Sequence, residues 1–216
     1  MRQSYEKDLE ALRLEILRMG ELVNQAIEAA IQSLARQDEK LAQKVIVGDD
    51  IIDQLEMEIE DKCMVLIARQ QPMARDLRIV GTGLKITTDL ERMGDHALDI
   101  AKVTIRLANQ PLIKPLVDLP RMGRMAQQML SDSLEAYMNL DIAQAERVCL
   151  ADNDVDDLYQ QVFRELLTYM MEDPRTISQA TQLIFVGRYL ERIADHATNI
   201  AEWVIYLATG QRLRKK

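Results

Sequence analysis

Apolar residues recur along this chain at the alternating three- and four-residue spacing that lines one side of an α-helix. Near the start, Leu9, Leu12, Ile16, Met19, Val23, Ala26 and Ala30 form such a seam, and Ile27, Ile31 and Leu34 widen it into a bundle face. Asp38 stands where an N-cap would open a second helix, which carries Leu41, Val45, Ile52, Leu55, Ile59 and Leu66. Pro72 breaks that pattern, and a third helix runs through Leu90, Met93, Ala97, Ile100 and Thr104 to about Ala108. Pro111, Pro115 and Pro120 exclude regular helix from the stretch 109–120, which reads as a connection.

Beyond the connection the pattern starts again. Met122, Met125, Met129, Ser133 and Tyr137 predict a fourth helix; Asp141, with Gln144 in capping-box register, opens a fifth; Asp173-Pro174 separates it from a sixth. The restart is a repeat. "DLERMGDHA" at 89–97 returns as "YLERIADHA" at 189–197, a shift of 100, while Asp38, Val45, Asp49 and Asp53 return as Asp141, Val148, Asp152 and Asp156 at a shift of 103. The expectation is an all-α protein of six long helices in two pseudo-symmetric three-helix bundles, 1–108 and 121–210.

Composition agrees, since only 4% of residues are aromatic and Gly and Pro number 8 and 5. A net charge of −8 speaks against a nucleic-acid binder, whose affinity rests on clustered Lys and Arg, and it permits cation binding. No apolar run reaches the roughly 20 residues of a membrane span, and the charged opening "MRQSYEKDLEALRLE" lacks the apolar segment of a signal peptide. Cys63 and Cys149 have no metal or redox spacing and read as buried thiols of a cytoplasmic protein. The basic stretch "QRLRKK" after Gly210 reads as a solvated tail, with contact to an anionic membrane surface as the alternative.

The candidate chemistry lies in acids four residues apart, which share a helix face. Asp49 with Asp53 and Glu91 with Asp95 occupy the first half; Asp152 with Asp156 and Glu191 with Asp195 occupy the second. In a hairpin turning at Pro72, Asp53 stands level with Glu91 and Asp49 with Asp95. A turn at Asp173-Pro174 does the same for Asp156 with Glu191 and Asp152 with Asp195. Asp99 extends the first stripe by a turn, and Asn199 takes its place in the second. Converging carboxylates suit hard, oxygen-seeking cations or carboxylate-bridged iron and manganese. The competing reading is an acidic face that is solvated or paired with Arg92 and Arg192.

The two histidines, His96 and His196, follow the acids directly. His96 lies about 100° around the helix from Asp95 and about 140° from Glu91, which favours a packed residue with one hydrogen bond over the alternative of a metal ligand. A ferritin-like di-iron centre needs Glu-x-x-His, and Gly94 and Ala194 stand where those histidines would be. "GTGLK" at 81–85 lacks the spacing of a phosphate loop, and no nucleophile–base pair is present, so an enzyme is not expected.

Duplicated three-helix units with "LER(M/I)(G/A)DHA..IA" on the last helix and Asp-x-x-x-Asp on the middle one closely resemble the PhoU family of bacterial phosphate-uptake regulators, from about Tyr5 to Gly210. The resemblance implies a cytoplasmic or membrane-associated regulator without catalytic turnover. Its implied partners are the phosphate ABC transporter and a sensor histidine kinase, through which it would limit uptake and repress the starvation response. It also implies metal ions (iron, manganese, zinc or magnesium) at the acid pairs, with the second site one carboxylate poorer at Asn199. A homodimer through exposed helix faces is a further expectation.

Overall fold

A computed structural model describes the backbone of residues 2–212 and the side chains of 5–212; the basic stretch at 213–216 lies outside the described residues. Six helices follow one another: α1 (Arg2–Arg36), α2 (Glu39–Gln70), α3 (Arg75–Leu107), α4 (Asp118–Asn139), α5 (Ile142–Glu172) and α6 (Ile177–Thr209). A 3-10 turn, Pro174–Thr176, leads into α6, and no strand occurs among the described residues.

The turns form where local chemistry puts them. The Asp38 carboxylate accepts a hydrogen bond from the Leu41 N–H at 3.0 Å and so caps α2. Asp141 does the same for α5 through Gln144 N–H, also at 3.0 Å. The capping box is not completed, however, because the Gln144 side chain turns to Glu135 instead. Gln37 and Leu140, the residues before these caps, both adopt positive φ. The following amides, of Asp38 and Asp141, reach back to the carbonyls of Ser33 and Ala136, so each helix end satisfies its last carbonyls within a turn of the next cap. The proline-rich connection is shorter than expected: α4 begins at Asp118 and carries Pro120 in its first turn. A first-turn residue has no intrahelical acceptor for its N–H, so proline costs nothing there.

Helices α1–α3 pack as one bundle and α4–α6 as the other, and α1 with α4 and α3 with α6 join them. The core is continuous through both, with Ile16, Met19, Ile59, Leu90, Met93 and Ile100 on one side and Met122, Leu130, Leu183 and Ile193 on the other, all nearly or fully buried.

The join has internal two-fold symmetry, visible in residues that meet their own counterparts. Asn24 pairs with Gln127, its equivalent at a shift of 103, through a 2.9 Å hydrogen bond. The His96 and His196 rings, equivalent at a shift of 100, stand 5.8 Å apart. Gly20 receives the Leu134 side chain, and Gly123 receives Ile31 in the mirrored contact. A Cβ at Gly20 would come within 2.3 Å of Leu134, and one at Gly123 within 1.9 Å of Ile31, so α1 and α4 approach as closely as they do because both positions lack a side chain. Cys63 is buried and Cys149 half-buried, and no disulfide joins them. No described helix is long and apolar enough to cross a membrane.

Candidate functional site

Rigid helices bring the acid pairs of each half to the α2/α3 and α5/α6 faces. In the first half the charge of Asp95 acts on Asp49 and that of Asp53 acts on Glu91, across the hairpin as the turn position requires. Burial, then the neighbouring Asp53 and Asp95, push the Asp49 carboxyl up to about 6. Burial, then Asp95 and Glu56, push Glu91 up to about 7. Arg92 is one counter-charge, 3.2 Å from Asp95 and 3.3 Å from Glu91, and the charge of Lys102 acts on Asp49. Gly94 leaves room behind this cluster, since a Cβ there would lie 3.2 Å from Ile52 and 3.5 Å from the Asp49 carboxylate.

Glu56 belongs to the same cluster and was not among the sequence candidates. Burial and then Glu60 raise its carboxyl, and Asp53 and Asp95 add to the effect. The signal was available: Glu56 lies three residues from Asp53, on the same helix face.

The second cluster is built alike but is less anionic. Asp156 and Glu191 are both raised, first by burial and then by Asp195. Asp152 is half-buried on the same stretch of α5. Tyr159 stands where Glu56 is in the first half, and Arg188, in the place of Thr88, forms an ion pair with Glu191. Arg192 reaches Asp195 at 3.1 Å and Glu191 at 3.9 Å. Even so, the Glu191 Oε2 atom is buried without a hydrogen-bond partner.

Asp99 and Asn199 do not extend these clusters. Asp99 pairs with Lys102 at 3.3 Å, and its charge acts on His96 and Tyr189; Asn199 donates to Asp89 across the α3/α6 join at 3.2 Å. The reason is rotational: each four-residue step drifts about 40° around a helix, so two steps from Glu91 carry the side chain away from α2 and toward α6. Among the differences in charge between the sites are Tyr159 in place of Glu56, Phe163 in place of Glu60, Arg188 in place of Thr88 and Glu202 in place of Lys102.

The histidines line the join. His196 Nδ1 is 2.9 Å from the Asp89 carboxylate, whereas His96 stacks on Tyr189, the counterpart of Asp89, at 5.7 Å between centroids. His96 Nδ1 is buried without a partner, and burial followed by the charge of His196 lowers its pKa to about 4. It packs, as expected, but without the hydrogen bond that a packed histidine usually keeps. Among the described residues, no three acid, histidine or cysteine side chains already converge closely enough to hold one ion together.

The model of the PhoU domain matches the chain twice, over residues 16–104 and 119–204. A phosphate-specific transport system accessory protein PhoU homolog of Clostridium acetobutylicum is 46% identical over 98% of this chain and 97% of its own length. One from Aquifex aeolicus is also 46% identical, over 95% of this chain and 93% of its own. The crystal structure of PhoU from Pseudomonas aeruginosa superposes with a TM-score of 0.93 at 41% identity, covering 96% of this chain and all (100%) of that one. The phosphate transport system regulatory protein PhoU from Streptococcus pneumoniae gives 0.91 at 32% identity, over 98% of this chain and 100% of its own.

Proposed function

The chain belongs to the PhoU family, and on that premise we propose that it is a cytoplasmic regulator of phosphate transport that works by binding and not by turnover. Similarity to transport accessory proteins over nearly the whole length of both partners carries this reading. Its partners are the phosphate ABC transporter and a sensor histidine kinase, and its effect is to limit phosphate uptake and repress the starvation response. Deleting the gene, in a strain without a second copy, is expected to switch on phosphate-starvation genes in phosphate-rich medium. Unchanged repression in that strain overturns the assignment.

The acid clusters are the second part of the proposal, as sites for divalent or trivalent cations such as iron, manganese, zinc or magnesium. Support comes from the donor set and its electrostatics. Asp49, Asp53, Glu91 and Asp95, with Asp152, Asp156, Glu191 and Asp195, offer only oxygen ligands, the preference of hard cations. Several are held protonation-prone by burial and by each other, and a cation would relieve that repulsion. Because the side chains do not converge yet, binding would turn them on a fixed helical frame, with Arg92 releasing Asp95 in the first site.

One observation favours a metal-free adaptor instead: Arg92 and Arg192 already pair with the acids beside them. Elemental analysis of protein purified without chelator, before and after incubation with each of the four metals, separates the readings. A cation site should show bound metal that falls in Asp95→Asn while helicity is kept. Absence of metal under all of these conditions leaves the arginine-paired adaptor.

A further inference from the structure

At the far end of the α3/α6 join, away from the acids, a groove of about 230 Å³ opens between the start of α3 and the end of α6. Its charged lining is wholly basic among the described residues: Arg78, Lys85 and Arg212, with Thr82, Trp203 and Tyr206 beside them. Such a concentration is unexpected in a chain of net charge −8. The three cations make no ion pair with a carboxylate among the described residues.

Two polar atoms here are buried without a partner, Arg78 Nε and the hydroxyl of Thr82, and Thr82 is only 1% exposed. Buried donors are ordinarily satisfied, so a pair left open beside a basic groove calls for an acceptor from outside. Arg78 is held in place, since its guanidinium lies against Gly210, where a Cβ would come within 3.1 Å of Nη1. Arg212 lies over the Trp203 ring at 5.2 Å and over Tyr206 at 5.7 Å. Stacking uses the flat face of a guanidinium and leaves its in-plane N–H groups available to donate.

Duplication does not explain the groove. At the equivalent end of the other half, Ser178, Gln182 and Phe185 replace Arg78, Thr82 and Lys85. Arg106, the one cation there, stands in the place of Tyr206 and donates to Gln182 at 3.1 Å. The basic groove is thus specific to one end of a symmetric molecule.

We propose that this groove binds a phosphoryl oxyanion, either free or on the head group of an anionic lipid. Arginine N–H groups, a lysine and a hydroxyl are the donors that such an oxyanion takes. The volume is below the roughly 300–1,000 Å³ of cavities that take drug-sized ligands, which suits a group of this size. Leu77 and Met73, exposed by 45% and 81%, lie beside the groove in sequence and supply apolar surface that a lipid would use.

Trp203 is the chain's single tryptophan, so its emission reports on this groove alone. The full-length protein would be titrated with inorganic phosphate against chloride at matched ionic strength. A parallel titration would use phosphatidylcholine vesicles with and without phosphatidylglycerol. A saturating change with phosphate assigns the free anion; one with the anionic vesicles alone assigns the head group; either supports the proposal. Arg78→Gln and the exposed Lys85→Gln should each weaken the response by about tenfold, the scale of one charge-assisted hydrogen bond. Circular dichroism checks that the fold is kept, and Lys85→Gln decides should Arg78→Gln fail to fold. No saturable response in either titration, or a response unchanged in Lys85→Gln, overturns the site.

Discussion

Asp49, Glu91 and His96 show how much of the chemistry here is set by burial. Asp49 and Glu91 rise to about 6 and about 7, above their values in the unfolded chain, so the native state binds more protons between roughly pH 4 and 7. Their contribution to stability is complete below that range and is lost as pH rises through it. His96 acts the other way: lowered to about 4, it leaves the unfolded state holding the extra proton, and stability is lost as pH falls below about 6.5. For protein kept free of metal, Asp49→Asn should therefore raise the urea midpoint at pH 8 and leave it unchanged near pH 4. The gain, after allowance for solvent screening of a half-exposed group, is about 1 kcal/mol. A midpoint that does not respond at pH 8 would show that neither burial nor the neighbouring carboxylates disfavour the Asp49 charge. The level pairing of Asp49 with Asp95 and Asp53 with Glu91 was legible in the sequence because the proline fixed where the hairpin turns. Glu56 was legible only through its three-residue spacing from Asp53; Tyr159 and Arg188 were not, since only packing shows which of the many side chains near the acids turn inward.

Helix boundaries were legible where a side chain makes them. Asp38 and Asp141 each satisfy an amide that would otherwise be open, and the residue before each takes the left-handed conformation despite having a side chain. Gln37 has a reason for being there: its amide donates to the carbonyls of Leu107 and Gln110 at 2.8 and 2.7 Å, closing the end of α3. Asp38→Ala removes one capping bond and should cost about 1 kcal/mol, read as a lower denaturant midpoint at unchanged slope. A loss no larger than for a neutral exposed substitution would mean that the cap is redundant. The start of α4 was misplaced because three prolines suggested one uninterrupted connection, although a proline in a first turn breaks nothing.

For the molecule as a whole, repetition revealed two bundles, but repetition alone does not say which faces join. That depended on Gly20 and Gly123, which look like helix-weakening residues in isolation. Alanine favours a helix over glycine by about 1 kcal/mol, so the sign of each substitution depends on what the new methyl meets. At Gly20 the closest atom is the end of the Leu134 side chain, which can swing aside; at Gly123 the methyl reaches both Cδ1 and Cγ1 of Ile31. Gly20→Ala should be close to neutral, and Gly123→Ala should destabilise by about 1–3 kcal/mol. Thermal unfolding of the two variants side by side tests this, and equal effects would mean that the two contacts are equally soft.

A contact between a residue and its own counterpart means something different inside one chain than between two. In a dimer of single three-helix chains such a contact could form only between two copies; in this one chain the His96–His196 and Asn24–Gln127 meetings lie where the two-fold axis of such a dimer would pass. Within one chain neither position has to suit a copy of itself. Asp89 holds one histidine while Tyr189 stacks on the other, so the two equivalent positions differ as a left and a right.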